Sequence, residues 1–250
     1  MTSFICECKK TKWRLAFILI PVFGIISLWS LWLLHDPSEQ MIHTGFTHMT
    51  TTIMLLNSMM LPISLAVMAS RQMDMENKGN TYKLYDTLQK KSGLFVCKLL
   101  LAAAHLFLFF VGEAFMILVL CRICGVTEAF PVLAYLRLLG TGFFTCILLY
   151  ILQLFFSMRL ENQLYPLFIG LIGSFAGLFS ILFPVGSFFL RLCPWSYFTL
   201  GSSFLMVYDE ATKTMSYPPI PFDTVGFFIL LAATLILFLA VRNYFIRKEV

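Results

Sequence analysis

The sequence predicts an all-α, polytopic membrane protein, and three observations carry that prediction. Six long apolar stretches are separated by short polar links, and a bilayer core needs roughly 20 such residues per spanning helix. The composition, 59% hydrophobic and 12% charged over 250 residues with a mean hydropathy of +0.85, leaves too little polar surface to cover a soluble globule. Basic residues are concentrated in alternate links, as the positive-inside bias requires.

The predicted spans are 15–34, 49–70, 99–120, 138–158, 164–190 and 224–241. The first follows the basic segment Lys9-Lys10-Thr11-Lys12-Trp13-Arg14. It is longer than the apolar region of a cleavable signal and ends in Leu33-Leu34-His35 without a small-x-small site, so it reads as a retained span. The segment from Phe4 to Arg14, with its basic face and Trp13, suits an interfacial helix. The second span is introduced by Asp36-Pro37-Ser38-Glu39, where Asp36 fits an N-cap, Pro37 the first helical position and Glu39 the carboxylate of a capping box. Helix initiation therefore explains Glu39 and His43, four residues apart, better than a zinc site does.

Pro62 and Pro166 are expected to kink the second and fifth spans. Gly170, Gly173, Ser174 and Gly177 form a small-residue stripe along the fifth, which lets another helix approach closely, within the chain or between subunits. Asn57, His105 and Gln153 lie at membrane depth and read as groups that hydrogen-bond between helices. No link is long enough for a separate globular unit, so residues 1–250 read as one transmembrane domain.

Orientation follows from the charges. Of the 18 Lys and Arg residues, 14 fall before the first span, in the second and fourth links and after the last span, which leaves Arg122, Arg137, Arg191 and Lys213 on the other side. Both termini are expected to be cytoplasmic, in a multi-pass protein of the cell membrane. The net charge of +5 is then a topology signal, and nucleic acid is not an expected partner. Cys121-Arg-Ile-Cys124 is a lone C-x-x-C without the second pair of a structural zinc site, so the thiols read as small hydrophobes and no metal is expected. The sequence has no G-x-x-x-x-G-K-[ST] phosphate loop, no H-E-x-x-H and no G-x-S-x-G. It is not expected to be an enzyme or to hold a cofactor of its own.

Glu113 is the one charged residue within a predicted span. At about 1.5 Å per residue it lies about 22 Å along its helix from Lys98. A carboxylate there needs a partner, the protein interior or water. Glu113, with His105, is thus a candidate contact for cationic substrate or a gate; the alternative is an acid hydrogen-bonded to a neighbouring helix. The eight-residue spacing from His105 does not align the two well on one face.

The longest polar link, 71–93, is the most distinctive. Asn80 suits the cap of a short amphipathic helix with Thr81, Leu84, Tyr85 and Leu88 on one face and Lys83, Asp86 and Lys90 on the other. Such a helix, held between two spans, is a handle for a cytoplasmic partner; the alternative is an ordinary interfacial helix resting on lipid.

Four features then combine: Glu7 with Lys9, Lys10 and Lys12 before the first span; Glu76…Gly79-Asn80-Thr81…Lys83-Leu84…Leu88 in the long link; Lys98 opening the third span; and Pro194-Trp195-Ser196-Tyr197 after the fifth. In this order they resemble the permeases of type-2 ABC exporters, and among them those of lantibiotic-immunity and antimicrobial-peptide transporters. The resemblance implies separate ABC ATPase subunits that bind ATP and magnesium, and a second identical or related permease. It makes the amphipathic link the coupling helix, through Glu76, Asn80, Thr81, Leu84, Tyr85 and Leu88. The link 191–223 becomes a re-entrant outer gate that includes Pro194, Trp195 and Tyr197. The implied substrates are amphipathic, often cationic peptides expelled from the membrane of a Gram-positive bacterium. A secondary carrier working through Glu113 and His105, or a stand-alone membrane immunity protein, are the alternatives; neither needs an ATPase.

Overall fold

A computed structural model describes Lys9, Thr11 and residues 13–35, 39–79, 91–160, 162–184, 186–210 and 214–247, with backbone alone at 75–79 and 91. Residues 4–8, 10 and 12 of the expected interfacial helix, the Asp36-Pro37 cap and the coupling residues Asn80, Thr81, Leu84, Tyr85 and Leu88 lie outside the described residues, as does the Glu76 side chain; Lys9 and Thr11 are helical. The protein is mostly helical. In chain order the helices are α1 (Ala16–Leu34), α2 (Glu39–Gly79), α3 (Lys91–Ile123), α4 (Val132–Arg159), α5 (Leu164–Phe179), a short α6 (Phe188–Leu192) and α7 (Thr224–Arg247). All but α6 contribute a stretch long and apolar enough to cross a bilayer, that of α5 running on through the turn after it to Leu182. Helices suit that setting because every interior backbone group bonds within its own segment.

The centre of the bundle is α2 and α4, whose spans are 61% and 67% buried against 17% for α7. They pack on each other, while α2 also packs on α5 and α4 on α7. On α1, which lies against α2 and α3, the buried residues Leu19, Val22, Ile26, Ser30 and Leu34 recur every three or four positions. They form one stripe, and Phe17, Ile20, Leu28 and Trp32 face outward, the arrangement expected of a peripheral helix in lipid. Two buried threonines are satisfied within their own helices: Thr50 Oγ1 donates to Phe46 O at 2.7 Å, and Thr145 Oγ1 to Thr141 O at 2.7 Å.

The small-residue stripe of α5 is used within the chain. A Cβ on Gly170 would sit 2.7 Å from the Ala66 side chain, and one on Gly177 would sit 3.1 Å from Ser58 O. Ser58 O is the carbonyl that Pro62, lacking an N–H, leaves without its helical donor. A glycine of the neighbouring helix lies against it. The residue with non-helical angles inside α2 is Thr44 (φ −130°, ψ 16°) rather than one at the expected Pro62 kink. Pro166 sits in the first turn of α5, where no intrahelical donor is needed, so it does not interrupt that helix.

The fifth span is shorter than expected. Helix α5 stops at Phe179 and a 3-10 turn covers Ser180–Leu182, so the stretch to residue 190 is not one helix. Phe183 is extended (φ −93°, ψ 145°), as a residue before proline tends to be. Gly186 has φ +80°, open to glycine at little cost. Between α6 and α7 the chain forms a second 3-10 segment, Pro194–Gly201, and an antiparallel hairpin of β1 (Val207–Asp209) and β2 (Thr214–Ser216) with Tyr208 opposite Met215. The hairpin is an addition to the all-α expectation.

Candidate functional site

The segment between α5 and α7 folds back into the bundle. Pro194 opens the second 3-10 segment at its first position, where its fixed φ suits helix entry. Trp195 then reaches Gly173, more than a turn inside α5. A Cβ at Gly173 would lie 2.0 Å from Trp195 Nε1, so only glycine admits the indole. Tyr197 is buried and its hydroxyl donates to Arg191 O at 2.7 Å, while Ser196 Oγ donates to Leu190 O at 2.5 Å. These bonds fasten the 3-10 segment to α6. Gly201 packs on α4, with Thr141 Oγ1 2.6 Å from where its Cβ would be.

Both ends of this link are joined. Arg191 Nη2 and Nε meet the Asp223 carboxylate at 3.2–3.3 Å. Asp223 Oδ1 also accepts from Gly226 N at 3.0 Å, which makes Asp223 the N-cap of α7. Between those ends the chain runs as an extended ribbon, with Leu205 N donating to Pro218 O at 2.9 Å and Ile220 N to Ser203 O at 2.8 Å. Arg137 of α4 holds the returning strand: its Nη1 donates to Ile220 O at 3.3 Å, and its guanidinium lies 4.7 Å over the Phe222 ring. The ribbon is tied to α2 by Gln40 Nε2, which donates to Met215 O. A hydrogen bond shared by His48 Nδ1 and the Tyr217 hydroxyl, at 2.5 Å, makes a second tie. Burial pushes the Tyr217 hydroxyl above its ordinary pKa.

The loop from α3 to α4 spans the break in α2. Thr127 N donates to Ile42 O at 2.9 Å. Below the break, Glu128 accepts from Thr47 N at 3.1 Å and from Thr47 Oγ1 at 2.5 Å. The loop therefore supplies an acceptor and a donor where the helical ladder is interrupted, as a cap does at a helix end. Val126 fills the notch beside Gly45, 2.7 Å from where a Cβ would be.

Glu113 and His105 are not brought together. Glu113 is 2% exposed and accepts from Asn57 Nδ2 of α2 at 3.0 Å. The cavity beside it, bounded by Phe110, Tyr135 and Leu138, holds about 10 Å³, no more than one water. His105 Nδ1 lies 2.8 Å from Leu101 O in its own helix. Its ring faces a separate groove of about 280 Å³ between α1 and α3, shared with Trp13 and Phe109. Gln153 of α4 reaches α5, its amide nitrogen donating to Pro166 O at 3.1 Å and its oxygen accepting from Gly170 N at 3.3 Å. Cys121, Cys124, Cys146 and Cys193 are thiols, none in a disulfide.

At the end of the bundle that carries the termini, Tyr150 donates to Gln72 Oε1 at 2.5 Å, both side chains being buried, and Lys98 is 1% exposed. The described geometry thus comprises a six-helix core, a segment that re-enters beside α5, and a buried polar set next to the long link. A family model described as ABC-2 family transporter protein matches residues 3–177. The chain belongs to the ABC-2 transporter family. That match covers α1 to α4 and nearly all of α5, so the ABC-2 assignment rests on most of the bundle and stops just before the re-entrant segment. A comparison with curated proteins gives no match. As an ABC-2 permease the chain is a membrane transport component, and the transport family carries no catalysis of its own.

Sequence reasoning named Pro194, Trp195 and Tyr197 but missed the residues that tie them down. Asp223 carried a legible signal, an acidic residue directly before the apolar run of α7. The ties through Arg137, Glu128 and Tyr217 join residues distant in sequence, and no local pattern marks them.

Proposed function

We propose that this chain is the permease subunit of an ATP-driven exporter that expels amphipathic, lantibiotic-type antimicrobial peptides and so confers resistance or self-immunity on a bacterium. In this reading residues 1–250 form one transmembrane domain with both termini cytoplasmic. It works beside a second identical or related permease, and ATP and magnesium bind separate ATPase subunits. The family match over residues 3–177 carries the proposal, and the lack of a phosphate loop in the sequence supports an ATPase on another chain. The coupling helix at Glu76, Asn80, Thr81, Leu84, Tyr85 and Leu88 receives the ATPase, and the re-entrant segment around Pro194, Trp195 and Tyr197 gates the outer side. Glu113, hydrogen-bonded and sealed between α2 and α3, acts in this scheme as a tie between helices. The separation of Glu113 from His105 weighs against a carrier that uses both.

Affinity purification of the chain from its native membranes in mild detergent tests the proposal. A stoichiometric ATPase with a phosphate-loop motif is expected to copurify, and deletion of the permease is expected to sensitise cells to lantibiotics. Leu84→Asp is expected to abolish both ATPase association and resistance at normal expression, because a charge on a docking face is costly to bury. Purification with no ATPase, or resistance unchanged by deletion, overturns it.

A further inference from the structure

We propose that the cleft between the start of α1, the last turns of α2 and the start of α5 binds the phosphate headgroup of an anionic phospholipid, with Arg71 as its anchor. The cleft holds about 640 Å³ and is lined by Arg14, Ser70, Arg71 and Gln163, with Val67 and Leu167 as apolar walls. That volume lies in the range of small-molecule sites. Asp74 faces the same space; among the described lining residues two are basic and one is acidic.

Arg71 makes the site specific. Its side chain is exposed, and among the described residues it forms no hydrogen bond or ion pair. The polar groups beside it are already occupied with one another: Ser70 Oγ donates to Gln163 Oε1 at 3.0 Å, and Gln163 Nε2 donates to Ser157 O at 3.3 Å. They give the cleft a fixed floor and leave the guanidinium as the group available to a ligand. A planar guanidinium pairs with phosphate through two parallel hydrogen bonds.

Position selects lipid over a free anion. Arg14 lies two residues before α1, beside Trp13, which is 73% exposed and of the type that settles at the headgroup level. From Leu167 in the cleft wall, Leu171 and Phe175 continue along the same side of α5, both exposed. At spacings of four, Leu167, Leu171 and Phe175 make an apolar track into the bilayer, suited to an acyl chain. A basic pocket between spanning helices that opens onto such a track matches the chemistry of an anionic lipid. The inference needs only that the chain spans a bilayer; it depends on neither the ATPase nor the peptide.

Thermal melting of the full-length, delipidated protein in detergent tests it, with dioleoylphosphatidylglycerol, dioleoylphosphatidylcholine or inorganic phosphate added. Phosphatidylglycerol is expected to raise the melting temperature saturably, as a ligand of the folded state does, and the other two are not. Arg71→Gln is expected to weaken the phosphatidylglycerol response about tenfold or more, the loss of a charge-assisted contact. Arg71→Lys should recover part of it, and Arg247→Gln, which removes a cation away from the cleft, should leave it unchanged. Native mass spectrometry of the wild-type protein, which needs no variant to fold, should show a retained anionic lipid. Equal protection by phosphatidylcholine, equal protection by inorganic phosphate, an unchanged response in Arg71→Gln, or no retained anionic lipid overturns the proposal.

Discussion

Glu113 and Asn57 show how one pair of residues fixes a helix contact in an apolar setting. Glu113→Ala removes the acceptor of Asn57 Nδ2 and leaves a buried amide unpaired, at a cost of about 1–3 kcal/mol. Glu113→Gln keeps an acceptor oxygen and is expected to retain most of the melting temperature. Melting of the purified variants checks both, and a melt unchanged in Glu113→Ala removes the pair from the account. Because the side chain is buried in the bundle, Glu113→Gln is also expected to alter resistance to cationic and neutral peptides alike. A selective loss for cationic peptides would instead make Glu113 a substrate contact. At Asp223 one carboxylate both caps α7 and pairs with Arg191. Asp223→Ala is expected to cost about 1–2 kcal/mol through the cap, and Arg191→Gln no more than about 1 kcal/mol, as a partly exposed pair usually does.

Helix α5 and the segment after it form a unit whose fit depends on glycine. Gly173→Ala puts a methyl group into the Trp195 indole, and overpacking of this kind costs about 1–3 kcal/mol. Gly140→Ala in α4 is the matched control, because nothing lies within 4 Å of its Cβ position. It is expected to be neutral or to stabilise by about 0.5–1 kcal/mol, the helix preference of alanine over glycine. Trp195 fluorescence in the two variants, on a background with Trp13, Trp29 and Trp32 replaced by Phe, reads the difference. If Gly173→Ala leaves both the emission and the melt unchanged, the indole does not seat there. The glycine stripe was plain in the sequence, but its occupant was not, since Trp195 lies 22 positions further on. The overrun of the fifth span has a related cause. Residues 180–190 are nearly as apolar as a span, and hydropathy does not register that Pro184 and Gly186 interrupt the backbone. The hairpin escaped notice because its strands are three residues long, too short for alternation to show.

Across the whole molecule the six spans were legible because a bilayer imposes both length and composition on each of them. The ties that shape the folded-back segment were not, because they join distant residues by single bonds. Topology is the property that the proposed function needs at this scale. On a background without native cysteines, Tyr208→Cys in the hairpin is expected to react with an impermeant thiol reagent in intact cells, and Gly79→Cys to react only after lysis. Labelling in the reverse pattern places the termini outside.

The break at Thr44 divides α2 mechanically. On one side of it Gln40 and Ile42 are fastened to the ribbon and to the α3–α4 loop; on the other, the long remainder is embedded against α4 and α5. Two rods in series, with a joint between them, do not transmit tilt as one rod does. Glu128, holding Thr47 below the joint, and Thr127, holding Ile42 above it, splint the two halves through one loop. The cap of the bundle is thus linked to the shaft by loop hydrogen bonds in place of an unbroken helical ladder.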